Sequence, residues 1–375
     1  MKSMFDPLVI GTLAAKNSIV RAATAESLAT PSGRPTSKLF DKYEELAEGG
    51  VGTIITGYTF TTLDGKPSEG ALGIYDDGFA DDYHELCDMV HSHDTRIVLQ
   101  LVYGGSKSKV AHDDPRRLKP ATTPSADWEP NVSILGPSAL ENLKTNLVPV
   151  EASHGDLQRV VESFASAAAR AQSYGFDGVE IHAAHGYLLS QFLSRWFNVR
   201  EDEYGGDLEN RARLAIDCVN AARSSTTRDF PILVKVNNCD DFEDRAGARG
   251  GLSEDESSQV CRWLVDAGAS AIEVSGDWHA IRGRDVAGDP FFASFGARLA
   301  CELDVPVIVT GGWRRLDTIE RHMAEDGIAG IAMSRPFIRE PDLVNRWLSG
   351  NTKPSKCTSC GYCGQYVGIP CVFRQ

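Results

Sequence analysis

Two histidines and a tyrosine stand close together near the middle of the chain. His182, His185 and Tyr187 directly follow an apolar stretch that begins at Gly178. Imidazole N–H groups can polarise an oxygen by hydrogen bonding, and a phenol can deliver a proton. The same HxxH spacing could instead supply two ligands to a metal ion, although the sequence shows no strong third ligand. A third interpretation is that all three are satisfied polar groups at the end of a strand.

Two further polar side chains lie near the ends of apolar runs elsewhere in the chain. Lys235 is the next-to-last residue of the run 232–236, and Gln100 is the next-to-last residue of the run 96–101. Burying an ammonium group is costly without a negative partner, so Lys235 indicates either an anionic ligand or a salt bridge to a carboxylate such as Glu180. The Gln100 amide both donates and accepts hydrogen bonds, as pairing with the edge of a heterocycle requires.

A glycine pair and a serine–arginine pair follow two apolar runs late in the chain. Gly311 and Gly312 come after the run 305–309, and Ser334 and Arg335 come after 330–333. Glycines let a ligand approach backbone N–H groups closely, and an arginine adds a charge-assisted contact. Together they indicate a site for a phosphate-bearing cofactor.

The last nineteen residues hold four of the nine cysteines, with the spacing Cys357-x2-Cys360-x2-Cys363-x7-Cys371. This pattern suits a [4Fe–4S] cluster or a zinc ion held by four thiolates. The alternative is four free thiols in a tail that packs against the rest of the protein. Because the sequence ends at Gln375, we expect no second domain for such a cluster to serve.

The apolar runs alternate with helical patterns, which predicts a (β/α)8 TIM barrel, with an open doubly wound sheet as the alternative. The helical patterns cover 156–174, 209–223, 253–267 and 316–325. Most of the runs are continuously apolar, as in parallel strands buried on both faces. The predicted strands are 18–22, 52–55, 96–101, 178–182, 231–236, 271–274, 305–309 and 330–333.

One segment does not fit the alternation. Residues 103–152 are rich in proline and glycine and follow the third predicted strand. A long irregular stretch inside a barrel is usually an excursion over the active site. The predicted organisation is a barrel over residues 1–345, with a cap at 103–152, and a cysteine-rich tail over 346–375.

Composition limits the class of protein. The 375 residues carry a formal net charge of −14, with 42% hydrophobic and 24% charged residues. This balance is typical of a globular protein and makes non-specific binding to nucleic acid unfavourable. No apolar run is long enough to span a bilayer, and Asp6 and Pro7 interrupt the N-terminus, so we expect no signal peptide and a cytoplasmic protein. The expected partners are small molecules, with no nucleic acid and no membrane; a homo-oligomer is left open.

The residues around the histidine pair resemble the Old Yellow Enzyme family of FMN-dependent oxidoreductases. The specific stretches are 175–194, 202–206 and 209–211, and the opening 5–8 with Lys16 and Asn17 is also similar. This resemblance extends to about residue 345 and implies a barrel fold with non-covalently bound FMN. It also implies two half-reactions at one site, in which NADH or NADPH reduces the flavin and an α,β-unsaturated carbonyl compound, or a nitro compound, then takes up the hydride.

The resemblance further implies roles for individual residues. His182 and His185 would bind the oxygen of the activating group, Tyr187 would donate the proton, and Tyr103 stands where many relatives carry a substrate-binding histidine. Lys235 occupies a position where the family usually has arginine and would lie near flavin N1 and O2. The other implied FMN contacts are the backbone of Ala23, Thr24, Ala25 and Gly57, the amide of Gln100, and a phosphate site at Gly311, Gly312, Ser334 and Arg335.

The sequence therefore predicts an NAD(P)H-dependent FMN ene-reductase. Two other functions remain as alternatives. The C-terminal cysteines are compatible with an iron–sulfur flavoenzyme in an electron-transfer chain, since larger relatives carry a similar cluster there. The HxxH spacing is compatible with a metal-dependent barrel hydrolase.

Overall fold

The computed structural model describes residues 3–108, 134–240, 242–243, 249–276 and 290–374. Eight parallel strands pair in sequence order, and pairing of the eighth with the first closes a barrel. The predicted (β/α)8 fold is confirmed, and the open-sheet alternative is wrong because Ala332 pairs with Val20 across the closing seam. The strands are β1 (Ile19–Arg21), β2 (Thr53–Ile55), β3 (Arg96–Val102), β4 (Gly178–Ala183), β5 (Ile232–Asn237), β6 (Ala271–Ser275), β7 (Val307–Thr310) and β8 (Gly330–Met333).

Helices on the outside of the barrel connect the strands. Ser153 and Ser253 begin two of them with capping boxes, in which the serine side chain accepts from the backbone N–H three residues on and an acidic side chain returns the bond. Gly175 and Gly268 follow two helices with positive φ angles of 93° and 108°, which glycine adopts without strain. The helices are α1 (Ser37–Glu48), α2 (Ala80–His91), α3 (His154–Ser173), α4 (Leu188–Leu193), α5 (Leu208–Ser224), α6 (Glu254–Asp266), α7 (Ala293–Glu302), α8 (Leu316–Glu325), α9 (Arg335–Arg339) and α10 (Leu343–Leu348).

The barrel interior is apolar at one end and polar at the other. Val98, Leu233, Ala271 and Ile308 belong to a buried cluster that a short N-terminal hairpin, Leu8–Ile10 with Leu13–Ala15, also joins. Side chains two residues apart on a strand share a face. The residues two positions further along these strands therefore face the same interior, closer to the carboxyl ends of the strands. They are Gln100, Lys235, Glu273 and Thr310.

The segments outside the barrel contain little regular structure. In the part of 103–152 that the structure describes, Leu135–Gly136 pairs in parallel with Val150–Glu151; residues 109–133 lie outside the described residues. Between α10 and residue 374, one 3-10 turn at Tyr362–Gln365 is formed. None of the helices in the described ranges is long and apolar enough to cross a membrane.

Candidate active site

A hydrogen-bonded row of side chains crosses the polar end of the barrel interior. The Gln100 Nε2 group donates to Glu180 Oε1 at 2.6 Å, and Lys235 Nζ lies 3.0 Å from the same oxygen. Lys235 Nζ is also 3.1 Å from Glu273 Oε1, which in turn accepts from the Thr310 hydroxyl. The predicted salt bridge between Lys235 and Glu180 is therefore present, and a second carboxylate shares the ammonium group.

This row holds one ammonium and two carboxyl groups, with Glu180 and Glu273 both 0% exposed. Burial and the neighbouring Glu273 raise the pKa of Glu180 well above its usual value. Burial opposes ionisation of Glu273 too, but Lys235 and hydrogen bonds from Glu180 and Thr310 keep its pKa below the usual value. Of the two carboxyl groups, Glu180 therefore holds a proton more readily, and Lys235 favours the ionised form of Glu273.

The two histidines face each other at the end of β4. His182 Nε2 and His185 Nδ1 are 3.3 Å apart, and the rings are nearly perpendicular at 88°. The Ala184 N–H donates to His182 Nδ1 at 3.3 Å, so the neutral His182 ring carries its proton on Nε2. His185 Nε2 lies 2.9 Å from the Ser275 hydroxyl. Because His182 Nε2 carries the proton, it donates to His185 Nδ1, and the His185 proton then lies on Nε2, where it is donated to the Ser275 hydroxyl.

Charge and burial keep the His182 ring neutral. Its side chain is buried, and burial together with His185, Lys235 and Lys107 lowers its pKa well below the usual value. A neutral imidazole still donates one hydrogen bond, and it avoids the cost of a cation in a desolvated site.

The backbone at His185 is held in an unusual conformation. His185 has a φ angle of 60°, in the left-handed region that residues other than glycine rarely adopt. Its N–H donates to Asn237 Oδ1 at 3.1 Å, and the Gly186 carbonyl accepts from Gln191 at 2.7 Å. Such strain persists only where surrounding contacts fix it, and it is concentrated at functional sites.

Tyr187 lies beside this pair between an aromatic ring and a cation. Its ring centroid is 4.9 Å from that of His182 and 5.7 Å from that of Tyr58. Lys107 Nζ lies 4.6 Å from the centre of the Tyr187 ring. Burial and the neighbouring Tyr58 raise the pKa of Tyr187 well above its usual value, so its hydroxyl stays protonated at neutral pH.

The ends of β1, β7 and β8 meet at the opposite side of the barrel mouth. The Thr24 and Ser334 hydroxyls are 2.8 Å apart. Gly311 and Gly312 have φ angles of 103° and 88°, and a Cβ on Gly312 would lie 2.8 Å from Pro290 Cα. Only glycine fits there without displacing backbone. Ala23 and Thr24 are half-buried at this mouth, and Ala25 is exposed.

Two of the predicted site residues already have other partners. The Gly57 N–H donates to the Tyr43 hydroxyl at 2.9 Å, so this backbone group contacts the protein itself. Tyr103 is buried in the main core, and its hydroxyl donates to Asp64 Oδ2 at 2.5 Å. The structure thus does not bring the Tyr103 side chain together with the histidine pair. Its carbonyl accepts from the Leu188 N–H at 3.0 Å, where α4 begins next to Tyr187.

Sequence reasoning missed several residues that shape the site, among them Lys107 beside Tyr187 and Glu273 beside Lys235. Asn237 and Ser275 are the last residues of β5 and β6, and each contacts His185. Tyr58 follows β2 and packs on Tyr187. The available signal was their position, because polar residues at the carboxyl ends of barrel strands face the active site.

The C-terminal cysteines line a cavity of about 250 Å³. Arg335, the first residue of α9, also lines this cavity. The cavity wall includes Cys357, Cys360, Cys363, Cys371, Arg339 and Lys356. Burial and the neighbouring Cys357 raise the pKa of the Cys363 thiol.

Neither proposed metal set forms a compact cage. Among the described residues, three or more metal-ligating atoms lie within 4.8 Å of one another in two places, and these include neither the histidine pair nor a C-terminal cysteine. The two places are Glu44 with Glu48 and His93, and His154 with Asp202 and Glu203. The HxxH pair thus lacks a third ligand within the described part of the chain, as a hydrolytic metal site would require.

A closed parallel barrel with its polar residues at the carboxyl ends of the strands defines a (β/α)8 barrel enzyme. The model of the NADH:flavin oxidoreductase / NADH oxidase family matches residues 3–353, and the chain belongs to this family. The predicted relationship to Old Yellow Enzyme is confirmed. An Old Yellow Enzyme homologue from Zymomonas mobilis has the same fold, with a TM-score of 0.74, 23% identity and coverage of 93% of each chain.

Two curated relatives show how the chain compares in length. It is 32% identical to a metal reductase of Desulforamulus reducens, over 100% of this chain and 52% of the relative. It is 29% identical to an NADPH dehydrogenase of Geobacillus thermodenitrificans, over 90% of this chain and 91% of the relative. The chain therefore spans about half the length of the first relative and nearly the whole of the second.

Proposed function

We propose that the protein is an NAD(P)H-dependent FMN oxidoreductase that reduces the activated C=C bonds of α,β-unsaturated carbonyl or nitro compounds. The observation that carries this proposal is the convergence of His182 Nε2 and His185 Nδ1, 3.3 Å apart, beside the Tyr187 ring at the barrel mouth. A bound oxygen atom would take the place of His185 Nδ1 as the acceptor of the His182 Nε2–H bond. With Ser275 donating to His185 Nε2, the His185 proton would lie on Nδ1 and supply a second donor to that oxygen. An adjacent phenol suits the delivery of one proton.

The side chains at the polar end of the barrel have the donors and acceptors that FMN needs. Lys235 has three N–H donors, of which Glu180 and Glu273 take two. The third is left for the N1 and O2 edge of a flavin, and the Gln100 carbonyl oxygen is left for its N3–H. The carboxyl groups of Glu180 and Glu273 are buried at this end of the barrel and hold Lys235 in place for such a ligand.

The other FMN contacts follow the strand ends. We propose that backbone groups of Ala23, Thr24 and Ala25 line the flavin, with Gly57 allowing close approach. Gly311 and Gly312, whose positive φ angles favour glycine, would hold the phosphate with Ser334 and Arg335. Bound FMN supplies a hydride acceptor and donor, with NAD(P)H as the reductant.

The histidines and the tyrosine then act on the second substrate. His182 and His185 donate hydrogen bonds to its carbonyl or nitro oxygen, which draws electron density from the conjugated double bond. Each donor of this kind lowers the barrel enzyme's reaction barrier by about 2.7–4 kcal/mol. Tyr187 donates a proton to the α-carbon as the β-carbon takes up the hydride.

Cofactor content and ligand binding test this function. The purified protein is expected to contain or bind one FMN per chain and to bind a simple phenol, because a phenolate oxygen accepts from both histidines. His182→Ala with His185→Ala should weaken phenol binding at least tenfold without removing FMN. His154→Ala, at an exposed histidine that contacts Asp202 and Glu203, is the matched control. A protein without affinity for FMN, or a double variant with unchanged phenol binding, would contradict the proposal.

The cysteine cavity favours a second candidate function, an iron–sulfur flavoenzyme. A Zn–S bond of about 2.3 Å keeps ligand sulfurs within about 4.6 Å of one another. No three of the cysteine sulfurs are that close, although all four face one cavity. A [4Fe–4S] cluster is larger and carries negative charge, which Arg335, Arg339 and Lys356 on the cavity wall would balance. We propose this cluster as the occupant in preference to zinc.

Metal analysis separates the two candidates. Anaerobically purified protein is expected to contain about four iron and four acid-labile sulfide per chain. Cys360→Ser should remove the iron, whereas Cys218→Ser, at a buried cysteine of α5, should not. Iron-free protein with four titratable C-terminal thiols would leave the ene-reductase as the single function.

A further inference from the structure

Lys107 contacts both His185 and Tyr187 from the turn that follows β3. Its ammonium group donates a hydrogen bond to the His185 carbonyl. The same Nζ atom lies 4.6 Å from the centre of the Tyr187 ring, over its face. Lys107 is half-buried, and its bond to the His185 carbonyl keeps the ammonium group over that ring. One cation therefore contacts the backbone of one site residue and the aromatic face of another.

The turn that carries Lys107 is itself fixed by hydrogen bonds. Lys107 is the last residue of a 3-10 turn, and the N–H of Ser106 within that turn donates to Gln191 Oε1 at 3.2 Å. Gln191 Nε2 also donates to the Gly186 carbonyl at 2.7 Å. Gly186 directly follows His185 in the chain. The same amide side chain thus holds the lysine turn and the backbone beside the histidine, which fixes the position of Lys107 relative to the site.

The surroundings of Tyr187 make the loss of its proton costly. Its ring packs against the Tyr58 ring and against His182, which burial keeps neutral. Burial and Tyr58 hold the pKa of Tyr187 well above its usual value. A cation on the ring face opposes this effect. A phenolate carries negative charge on its ring, so the cation attracts it more strongly than it attracts a neutral phenol.

We propose that Lys107 is a positioning residue that stabilises the anionic form of Tyr187 when Tyr187 gives its proton to the second substrate. This inference rests on the proposed function. Lys107 does not touch the reacting atoms; it acts through Tyr187. Its hydrogen bond to the His185 carbonyl sets where the charge lies, and the charge itself lowers the cost of proton donation.

The step that Lys107 assists is one proton transfer. The substrate double bond takes up a hydride, with both electrons, at its β-carbon. The O–H bond of Tyr187 breaks as a C–H bond forms at the α-carbon, which leaves Tyr187 as a phenolate. NAD(P)H is the source of the electrons, and the phenolate regains its proton from water. The ammonium group of Lys107 keeps its own protons throughout.

Titration of the phenol tests the inference without turnover. Replacement of all tyrosines by a fluorinated tyrosine lowers the phenol pKa into an accessible pH range, and Tyr187→Phe identifies the Tyr187 signal in the ¹⁹F NMR spectrum. Lys107→Met keeps a side chain of similar length and removes the charge. In this variant we expect the Tyr187 signal to titrate at a pH about one unit higher. Lys38→Met, at an exposed lysine of α1, is the matched control and should leave the titration unchanged.

Rapid-mixing kinetics test the same inference in the reaction. Oxidation of the reduced enzyme by saturating 2-cyclohexenone should slow about 5- to 30-fold in Lys107→Met, the effect of a desolvated cation on an aromatic face. The enone concentration that gives half of the maximal rate should not change, because the two histidines still bind the enone oxygen. Lys107→Arg should restore most of the rate, since a guanidinium group also stacks on aromatic faces.

A double-mutant cycle separates the charge from a purely structural role. When Tyr187 is phenylalanine there is no phenolate to stabilise, so Lys107→Met should cause no further slowing in that background. A lysine that served only to hold the His185 backbone would slow both backgrounds alike. It would also raise the enone concentration that gives half of the maximal rate.

Three results would each overturn the inference: a Tyr187 titration that does not move in Lys107→Met, an unchanged enone rate in this variant, or equal slowing with and without the Tyr187 hydroxyl. Failure of the proposed function is distinct from all three. It would appear in the unaltered protein, as an absence of FMN binding or of any oxidation by the enone.

Discussion

At the scale of single residues, the hydrogen-bond partners of His182 and His185 determine how each ring is oriented and which of its nitrogens carries a proton. A backbone N–H fixes the proton of His182 on the ring nitrogen that faces His185. A serine hydroxyl and a strained backbone held by Asn237 orient His185. These contacts determine which ring nitrogens carry protons, so the residues at the edges of the pair are as necessary as the rings.

Removal of the Ser275 hydroxyl should therefore weaken the pair without removing it. Ser275→Ala frees His185 to place its proton on Nε2, away from the shared position. We expect the dissociation constant of a phenol to rise about 2- to 13-fold, corresponding to a hydrogen bond of about 0.5–1.5 kcal/mol. Absorbance titration of the FMN-loaded protein measures this. Ser173→Ala, on the exposed surface of α3, is the control, and an equal effect there would contradict the prediction.

Tyr187→Phe should separate the two half-reactions. Without the proton donor, oxidation of the reduced enzyme by an enone is expected to slow by about 10²–10⁴-fold, the usual contribution of a positioned general acid. Reduction by NADPH requires no proton from this side chain and should keep its rate. Rapid-mixing absorbance records both steps, and equal slowing of the two would exclude Tyr187 as the proton donor.

The sequence predicted the site residues better than their partners. His182, His185, Gln100 and Lys235 could be assigned to one mouth because each lies close to the carboxyl end of a barrel strand. Glu273 as the second partner of Lys235 depends on the register between β5 and β6, which residue types alone do not specify. Tyr103 was expected at the substrate, but Asp64, far along the chain, draws its hydroxyl into the core.

At the scale of elements, strand positions could be predicted and strand ends could not. All eight predicted strands form, yet β7 begins at Val307 where the pattern placed 305. Pro306 lacks an N–H and cannot donate in a parallel ladder, so the strand begins after it. The apolar pattern shows which residues are buried, whereas hydrogen bonding to neighbouring strands sets where each strand starts.

An ion pair joins helices α5 and α6. Its contribution to the free energy of unfolding should depend on pH. Arg211 is buried on α5, and its Nη2 lies 2.7 Å from Glu256 Oε1 near the start of α6. Burial opposes ionisation of Glu256, but the Ser253 N–H and Arg211 outweigh it and lower its pKa below the usual value. A carboxyl group with a lowered pKa in the folded state stabilises the protein above its unfolded pKa. That contribution disappears as the pH falls through the folded pKa.

Glu256→Gln should therefore reduce the free energy of unfolding at pH 7 by about 1.5–3 kcal/mol, the value of hydrogen bonds to charged groups. Glutamine keeps one acceptor oxygen for the Ser253 N–H of the capping box and replaces the carboxylate oxygen that faces Arg211 by an amide group, so the ion pair is lost. Denaturant unfolding of both proteins measures the difference, which should shrink as the pH falls below the usual carboxyl range. Glu254→Gln, exposed in the same turn, is the control. A difference that does not change with pH would contradict the prediction.

At the scale of the whole molecule, binding of FMN at the barrel mouth should raise the free energy of unfolding. A ligand that binds only the folded state adds about 2.7 kcal/mol to the free energy of unfolding at 100 times its dissociation constant. FMN should raise the melting temperature of the apoprotein more than equimolar riboflavin does, because riboflavin lacks the phosphate.

Arg335→Gln should reduce this advantage of FMN over riboflavin. If Arg335 contacts the phosphate, the variant weakens FMN binding and leaves riboflavin binding unchanged. Differential scanning fluorimetry with both flavins measures the two effects. Equal loss for both flavins, or no loss for either, would show that Arg335 serves the cysteine cavity that it also lines.

The most direct test of the account is one anaerobic absorbance experiment on the FMN-loaded protein. NADPH or NADH is added until the flavin absorbance is bleached, and a stoichiometric amount of an enone is then added. We expect the absorbance to return as the saturated ketone forms, and we expect this return to be lost when His182 and His185 are both alanine. A flavin that stays reduced in the presence of enones and nitro compounds, or that reoxidises equally well without the two histidines, would contradict the central claim.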